Sequence, residues 1–185
     1  LCNILYTSGT TGESKGVMLH HAQYMAALKA NDEVVPLTDQ DRVINFLPFT
    51  HVFERGWAYL SLSEGAQMII NTNPHRIQES MREMHPTCMS SVPRFWEKVY
   101  MAVKEKMDNA SSMQKKLFEH ALAVGTRYNI DCLSRGKRPS LMLSMEYKFV
   151  DKTILSLVRK QIGLLKPHLF PTAGARISPE AEKFI

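Results

Sequence analysis

Cysteine is scarce. Cys2, Cys88 and Cys132 are the only three in 185 residues. The number is odd and no two are spaced as Cys-x-x-Cys, so neither a disulfide framework nor the spacing of a zinc module is visible, and a reducing compartment is expected. No apolar run reaches the ~18 residues that a membrane-spanning helix needs. The chain opens as "LCNILYTSG", without methionine or a charged leader. It stops at Phe184-Ile185 inside a helix-like run. Both ends read as cuts, and a fragment of a longer protein is expected. Long blocks of one charge are missing too. Arg135-Gly136-Lys137-Arg138 comes nearest and reads as a solvated loop. It is short and has no interleaved aromatics, so no nucleic acid partner is expected. No internal repeat or low-complexity segment stands out.

What is present is ordinary for a soluble globular protein: 44% hydrophobic residues, 22% charged residues and a formal net charge of +5. The length allows one domain, or a large piece of one. Short β-branched or aromatic runs alternate with helical patterns along the first half. Strands are expected at residues 3–7, 43–47, 67–71, 87–91 and 168–172, most of them in one parallel sheet. Between them "GVMLHHAQYMAALKAN", "VFERGWAYLSLSEG", "PHRIQESMREMH" and "RFWEKVYMAVKEKM" have helical spacing. This alternation predicts an α/β fold with a mostly parallel sheet and helices on both faces. From about residue 109 to 163 the rhythm changes to long helical patterns with no strand between them, which predicts a helical insertion. "SPEAEKFI" then opens a helix, with Ser178 as N-cap and Pro179 in the first position. The eleven methionines read as core filler.

One stretch is unusual. "YTSGTTGESKGV", residues 6–17, crowds Thr7, Ser8, Thr10 and Thr11 around Gly9 and Gly12 and ends in Lys15 and Gly16. The pattern predicts a strand, a glycine-rich turn and then a helix. At the carboxyl end of a parallel strand such turns hold ligands. Glycines allow close backbone approach, successive N–H groups make an anion nest, hydroxyls add donors, and the lysine adds a full charge. All of this suits a triphosphate. The loop is not a Walker A motif: Ser14 stands where the second glycine should be, and Gly16 follows the lysine. A hydroxyl-rich surface turn that binds nothing is the alternative reading of composition alone.

The stretch resembles the phosphate-loop signature of the adenylate-forming enzymes, the superfamily of acyl-CoA synthetases, luciferases and peptide-synthetase adenylation domains. That pattern runs Tyr/Phe-Thr-Ser-Gly-Ser/Thr-Thr-Gly-x-Pro-Lys-Gly. Ser14 replaces its proline, which removes a stiffener and no phosphate donor. "FLPFTHVFERG" and "SSVPRFWEKVY" are similar to segments of the long-chain fatty acyl-CoA synthetase branch. "PTAGARISPEAEKF" resembles the segment that lines the adenine pocket, with Ala173 in place of its first glycine and Arg176 where proline is common. The resemblance covers nearly the whole chain.

It implies an ATP-dependent ligase. A fatty carboxylate attacks the α-phosphate of Mg·ATP, pyrophosphate leaves, and CoA then displaces AMP. Thr7, Ser8, Gly9, Thr10, Thr11, Gly12, Lys15 and Gly16 would hold the phosphates, with Lys15 serving the leaving pyrophosphate and Thr7 meeting Mg²⁺. Gly174 and Ala175 would wall the adenine. His51 would sit between the carboxylate and the α-phosphate, although a lone histidine after a strand is otherwise more often a hydrogen-bonded structural residue. A fatty acid is already ionised at neutral pH, so a role for His51 as base is not required. His20 and His21 are expected at the surface or in packing. The implied partners are ATP, CoA and a fatty acid. A cytoplasmic location is expected, and the acyl substrate is compatible with peripheral membrane association. The family's second magnesium ligand, its ribose-binding Asp and its lysine-bearing C-terminal domain do not occur in this stretch, so residues 1–185 are expected to be a central fragment of the AMP-binding domain, inactive alone. The competing reading is a non-catalytic interaction module with a relic phosphate loop.

Overall fold

The computed structural model describes residues 1–8 and 12–185. The chain divides into two compact units, Leu1–Ser90 with Lys166–Pro171, and Ser91–Leu165 with Thr172–Ile185. Among the described residues no helix is long and apolar enough to cross a membrane.

The first unit opens with strands β1 (Asn3–Ser8) and β2 (Ser14–Leu19), paired antiparallel. Here the structure departs from the sequence pattern twice. The pattern puts β1 in the parallel sheet and starts a helix within residues 14–19. Instead the run "SKGVML" folds back on "NILYTS" as a hairpin. Its residues pair one for one with those of β1 from Asn3↔Leu19 to Ser8↔Ser14, and Val17 is a β-branched member of the run. Helix α1 (His21–Asp32) starts only afterwards, with His20 as N-cap: its N–H donates to Gln23 Oε1 at 2.7 Å and its carbonyl accepts the Gln23 N–H at 3.1 Å. His20 and His21 are both exposed, as expected of surface residues.

The parallel sheet follows. Strands β3 (Arg42–Asn45), β4 (Gln67–Ile70) and β5 (Cys88–Met89) lie in the order β4-β3-β5, with helices α2 (Val52–Ser63) and α3 (Ile77–Met84) in the connections. Each of these helices has a buried stripe, Trp57, Ala58 and Leu60 on α2, Ile77 and Met81 on α3. Successive residues of β3 point to opposite faces. Val43, Ile44 and Asn45 are all fully buried, so both faces of the sheet are covered. On the Val43 face a core forms from Leu37, Val43, Trp57, Leu60, Ala66 and Cys88. Burying side chains of this size stabilises by ~1.5–3 kcal/mol each. Residues 168–172 do not form the expected strand. Leu169 makes a single parallel bridge to Cys88, and Thr172 one to Ser91. Pro167 precedes the segment and Pro171 lies within it, and neither can donate to a ladder.

The second unit is helical: α4 (Pro93–Asp108), α5 (Ser112–Gly125), α6 (Leu141–Val150), α7 (Ser156–Ile162) and α8 (Pro179–Phe184). Ser111 caps α5 in a capping box with Gln114. Wider π-helical turns, Thr126–Cys132 and Asp151–Leu155, continue α5 and join α6 to α7. Ala121, Val124 and Val150 form the core, with Leu143, Tyr147, Ile154 and Leu155 packed on it. Tyr128 stacks flat on Tyr147 at 4.0 Å.

Candidate functional site

The paired strands β1 and β2 carry Thr7, Lys15 and Gly16 of the phosphate-loop stretch. Their register sets Thr7 opposite Lys15, Ser8 opposite Ser14 and Tyr6 opposite Gly16. The Thr7 hydroxyl donates to the Lys15 carbonyl at 3.5 Å, and the side chains of Thr7 and Lys15 are both exposed. Gly9, Thr10 and Thr11, and the side chain of Ser8, lie outside the described residues. The two glycines nearest Lys15 are there for different reasons. Gly12 has φ +89°, a left-handed conformation that strains other residues, while a Cβ there would meet nothing within 4 Å. Gly16 has no such φ. A Cβ at Gly16 would come within 2.9 Å of Ile4 Cγ2 and 3.4 Å of Tyr6 Cε1, so its bareness lets the facing side chains cross the hairpin.

The hairpin is tied to the rest of its unit through α1. The Asn3 amide donates to the Tyr24 hydroxyl at 2.9 Å. The Tyr24 ring in turn meets Tyr59 of α2 edge-on at 5.1 Å. Helix α2 is the element that carries His51.

His51 is the N-cap of α2, on the connection that leaves the carboxyl end of β3. Its Nδ1 accepts the Phe53 N–H at 3.4 Å. In the neutral ring the proton then sits on Nε2, so the exposed imidazole offers a donor to an incoming oxygen. The residues after it fix its position. Glu54 is fully buried and accepts from the Asn45 amide at 3.0 Å, from the Phe46 N–H at 3.0 Å and from the Ser90 hydroxyl. One carboxylate thus joins the carboxyl ends of β3 and β5 to the first turn of α2. Arg55 Nε donates to the Phe49 carbonyl at 2.9 Å and closes the loop that leads to His51. In the sequence Glu54 and Arg55 stand out only as letters of a motif. A charged residue in a helix with an apolar stripe, beside Trp57 and Ala58, was the signal available.

Gly174 and Ala175 belong to the second unit, in an exposed bend after Thr172. Gly174 has φ +95°, and a Cβ there would meet nothing within 4 Å, so its requirement is conformational. Just upstream, the Trp96 indole donates to Ser91 Oγ at 2.7 Å and Thr172 Oγ1 at 3.0 Å. Downstream, Ser178 caps α8 by accepting from Ala181 N–H, and its own N–H donates to Glu97. The bend is therefore held at both ends.

Comparison with known proteins bears on the family and the fold. A family model described as AMP-binding enzyme matches residues 1–185. A long-chain-fatty-acid–CoA ligase of Rattus norvegicus is 28% identical over 98% of the chain, and the long chain acyl-CoA synthetase 2 of Arabidopsis thaliana is 31% identical over 100% of it. The chain spans 28% and 27% of the length of these two relatives. Among solved structures, the adenylation domain of a carboxylate reductase from Mycobacterium chelonae superposes with a TM-score of 0.63 over 98% of this chain and 24% of that one, at 20% identity, a likeness of fold. With its α/β fold, its parallel sheet and a family match along its full length, the chain belongs to the AMP-binding enzyme family.

Proposed function

We propose that the protein is a long-chain fatty acid–CoA ligase and that residues 1–185 are the central part of its AMP-binding domain, with the helices of about 109–163 as an insertion. The observation that carries this reading is the hairpin register, which sets Thr7 opposite Lys15 on either side of a stretch whose sequence is rich in hydroxyls and glycines.

In the proposed reaction a carboxylate oxygen of the fatty acid bonds to the α-phosphorus of ATP. The bond from that phosphorus to the bridging oxygen breaks, and pyrophosphate leaves with both electrons. The CoA sulfur then bonds to the acyl carbon, AMP departs, and the thiol proton passes to solvent. The first step needs placement and charge stabilisation more than covalent help. Lys15, with the hydroxyls and N–H groups of Thr7, Ser8, Thr10 and Thr11 and the glycines Gly9, Gly12 and Gly16, would hold the β- and γ-phosphates. The exposed Thr7 hydroxyl and the open, left-handed Gly12 fit such a group, because neither the side chain nor the backbone is covered. Mg²⁺ bound with ATP would neutralise phosphate charge, and the Thr7 oxygen is the ligand that this stretch offers. Gly174 and Ala175 would face adenine. His51, with its Nε2 proton outward, would donate to the carboxylate or α-phosphate oxygen and take no proton away.

The ribose anchor, a second magnesium ligand and the lysine-bearing small domain would come from outside these residues, so this stretch alone would be inactive. The test is pyrophosphate release by the longer protein with carboxylic acids of graded chain length, with and without CoA. Release that depends on chain length, and acyl-CoA formation when CoA is added, are expected. No release with any carboxylate would favour the reading as an interaction module.

A further inference from the structure

The edge of the sheet opposite His51 holds a second group of chemically active side chains. Asp41 immediately precedes β3, Cys88 opens β5, and His168 precedes the residue that bridges to Cys88. All three belong to the amino end of the parallel strands. The Cys88 thiol lies 3.3 Å from Asp41 Oδ1 and 3.8 Å from His168 Nδ1, and His168 Nδ1 lies 3.0 Å from Asp41 Oδ1. The sequence shows no metal spacing here because the three residues are far apart along the chain.

The group is not a nucleophile with its base. A triad needs one ring nitrogen on the sulfur and the other on the carboxylate. Here Nδ1 faces both. Burial, together with the neighbouring Asp41 carboxylate, also pushes the Cys88 thiol up to about 12, away from thiolate. Hydrogen bonding alone leaves the centre crowded. Asp41 Oδ2 accepts from the Thr38 N–H and hydroxyl, while Oδ1 is approached by Thr87 Oγ1, Cys88 Sγ and His168 Nδ1 together. Three groups converge on an oxygen with two lone pairs.

We propose that Asp41 Oδ1, Cys88 Sγ and His168 Nδ1 form a three-ligand Zn²⁺ site at the amino edge of the parallel sheet, with the fourth position open to solvent beside His168. Tetrahedral zinc with these atom types places its ligands about 3.3–3.6 Å apart. The three separations, 3.0, 3.3 and 3.8 Å, bracket that range, so shifts of a few tenths of an ångström suffice. The ligand atoms all lie within 4.8 Å of one another. Access comes from the His168 side chain, which is 39% exposed, whereas that of Asp41 is 6% exposed. On binding, the thiol proton passes to solvent, and His168 gives up the proton that Nδ1 shares with Asp41 and carries its ring proton on Nε2 instead, which frees Nδ1 for the ion. Zn²⁺, one thiolate and one carboxylate sum to zero charge, which suits a buried centre. Sulfur and imidazole favour Zn²⁺ over Mg²⁺. The ion would clamp the starts of β3 and β5 to the returning segment at residue 168, at the opposite end of the strands from His51.

The test uses Co²⁺ as a spectroscopic probe of the purified, chelator-treated protein. One equivalent is expected to give a thiolate-to-cobalt charge-transfer band that Zn²⁺ displaces and excess Mg²⁺ does not. The band is expected to survive in the double variant Cys2→Ser, Cys132→Ser and to vanish in Cys88→Ser. His168→Asn, a change at a partly exposed position, is expected to weaken binding by at least ~10-fold, a loss that even outer-shell partners of a metal produce. Folding of each variant is checked by circular dichroism, and if Cys88→Ser does not fold, His168→Asn decides. Absence of stoichiometric uptake by the folded protein, a band that persists in Cys88→Ser, or unchanged affinity in His168→Asn would each overturn the site.

Discussion

Glu54 gives the sharpest stability prediction. Its carboxylate is fully buried and accepts from Asn45, Phe46 and Ser90. Asn45 and Ser90 are themselves fully buried, so no solvent replaces the acceptor once it is gone. In Glu54→Ala the Ser90 hydroxyl can turn toward another oxygen, but the Asn45 amide loses its acceptor and a cavity opens. An orphaned buried donor costs ~1–3 kcal/mol, and with the cavity the expected loss is about 3 kcal/mol. Glu54→Gln keeps the volume and one acceptor oxygen for Asn45 and Phe46. Its amide faces Ser90 Oγ, which can accept, so the expected loss is about 1 kcal/mol. Urea unfolding at constant m-value measures both. Because the same carboxylate seats the first turn of α2, Glu54→Ala should also slow adenylation in the longer protein by displacing His51. A Glu54→Ala midpoint within ~0.5 kcal/mol of wild type, the range of inconsequential surface changes, would refute the reasoning.

Three further outcomes are expected. Lys15→Ala in the longer protein should cut acyl-adenylate formation by roughly ten- to a hundredfold, from the ~1.5–3 kcal/mol of a charge-assisted contact, with little change in fatty acid affinity; an unchanged rate in rapid-quench assays would remove Lys15 from the site. Calorimetric titration of residues 1–185 alone with Mg·ATP should give millimolar binding or weaker, since each ~1.4 kcal/mol of missing contact is tenfold; micromolar binding would make the hairpin loop self-sufficient. Trp96→Phe removes the indole donor shared by Ser91 and Thr172 and should lower stability by ~1–2 kcal/mol; an unshifted denaturation midpoint would mean that these bonds do not hold the segment before Gly174.

Local pattern determined a good deal by itself. The alternation of short β-branched runs with amphipathic helices announced the α/β class, because period 2 and period 3.6 each dictate which side chains can share a face. Pro48 and Gly65 marked the limits of β3 and α2, and Ser178-Pro179 marked the start of α8, since capping and proline geometry are decided within a few residues. The string of hydroxyls and glycines around Lys15 carried its chemistry in its letters. Tertiary pairing decided the rest. Whether residues 14–19 coil or extend depended on β1 lying ready to pair with them, a partner that a helical reading of "GVMLHH" does not consult. Residues 168–172 had strand-like letters, but Pro167 and Pro171 left only single bridges where a ladder was expected. Glu54 became a structural anchor because three donors from β3, its following loop and the residue just after β5 converge on it across 8 to 36 residues of sequence. Asp41, Cys88 and His168 meet across as many as 127 residues. Such clusters have no spacing signature, because chain folding alone brings their members within bonding distance.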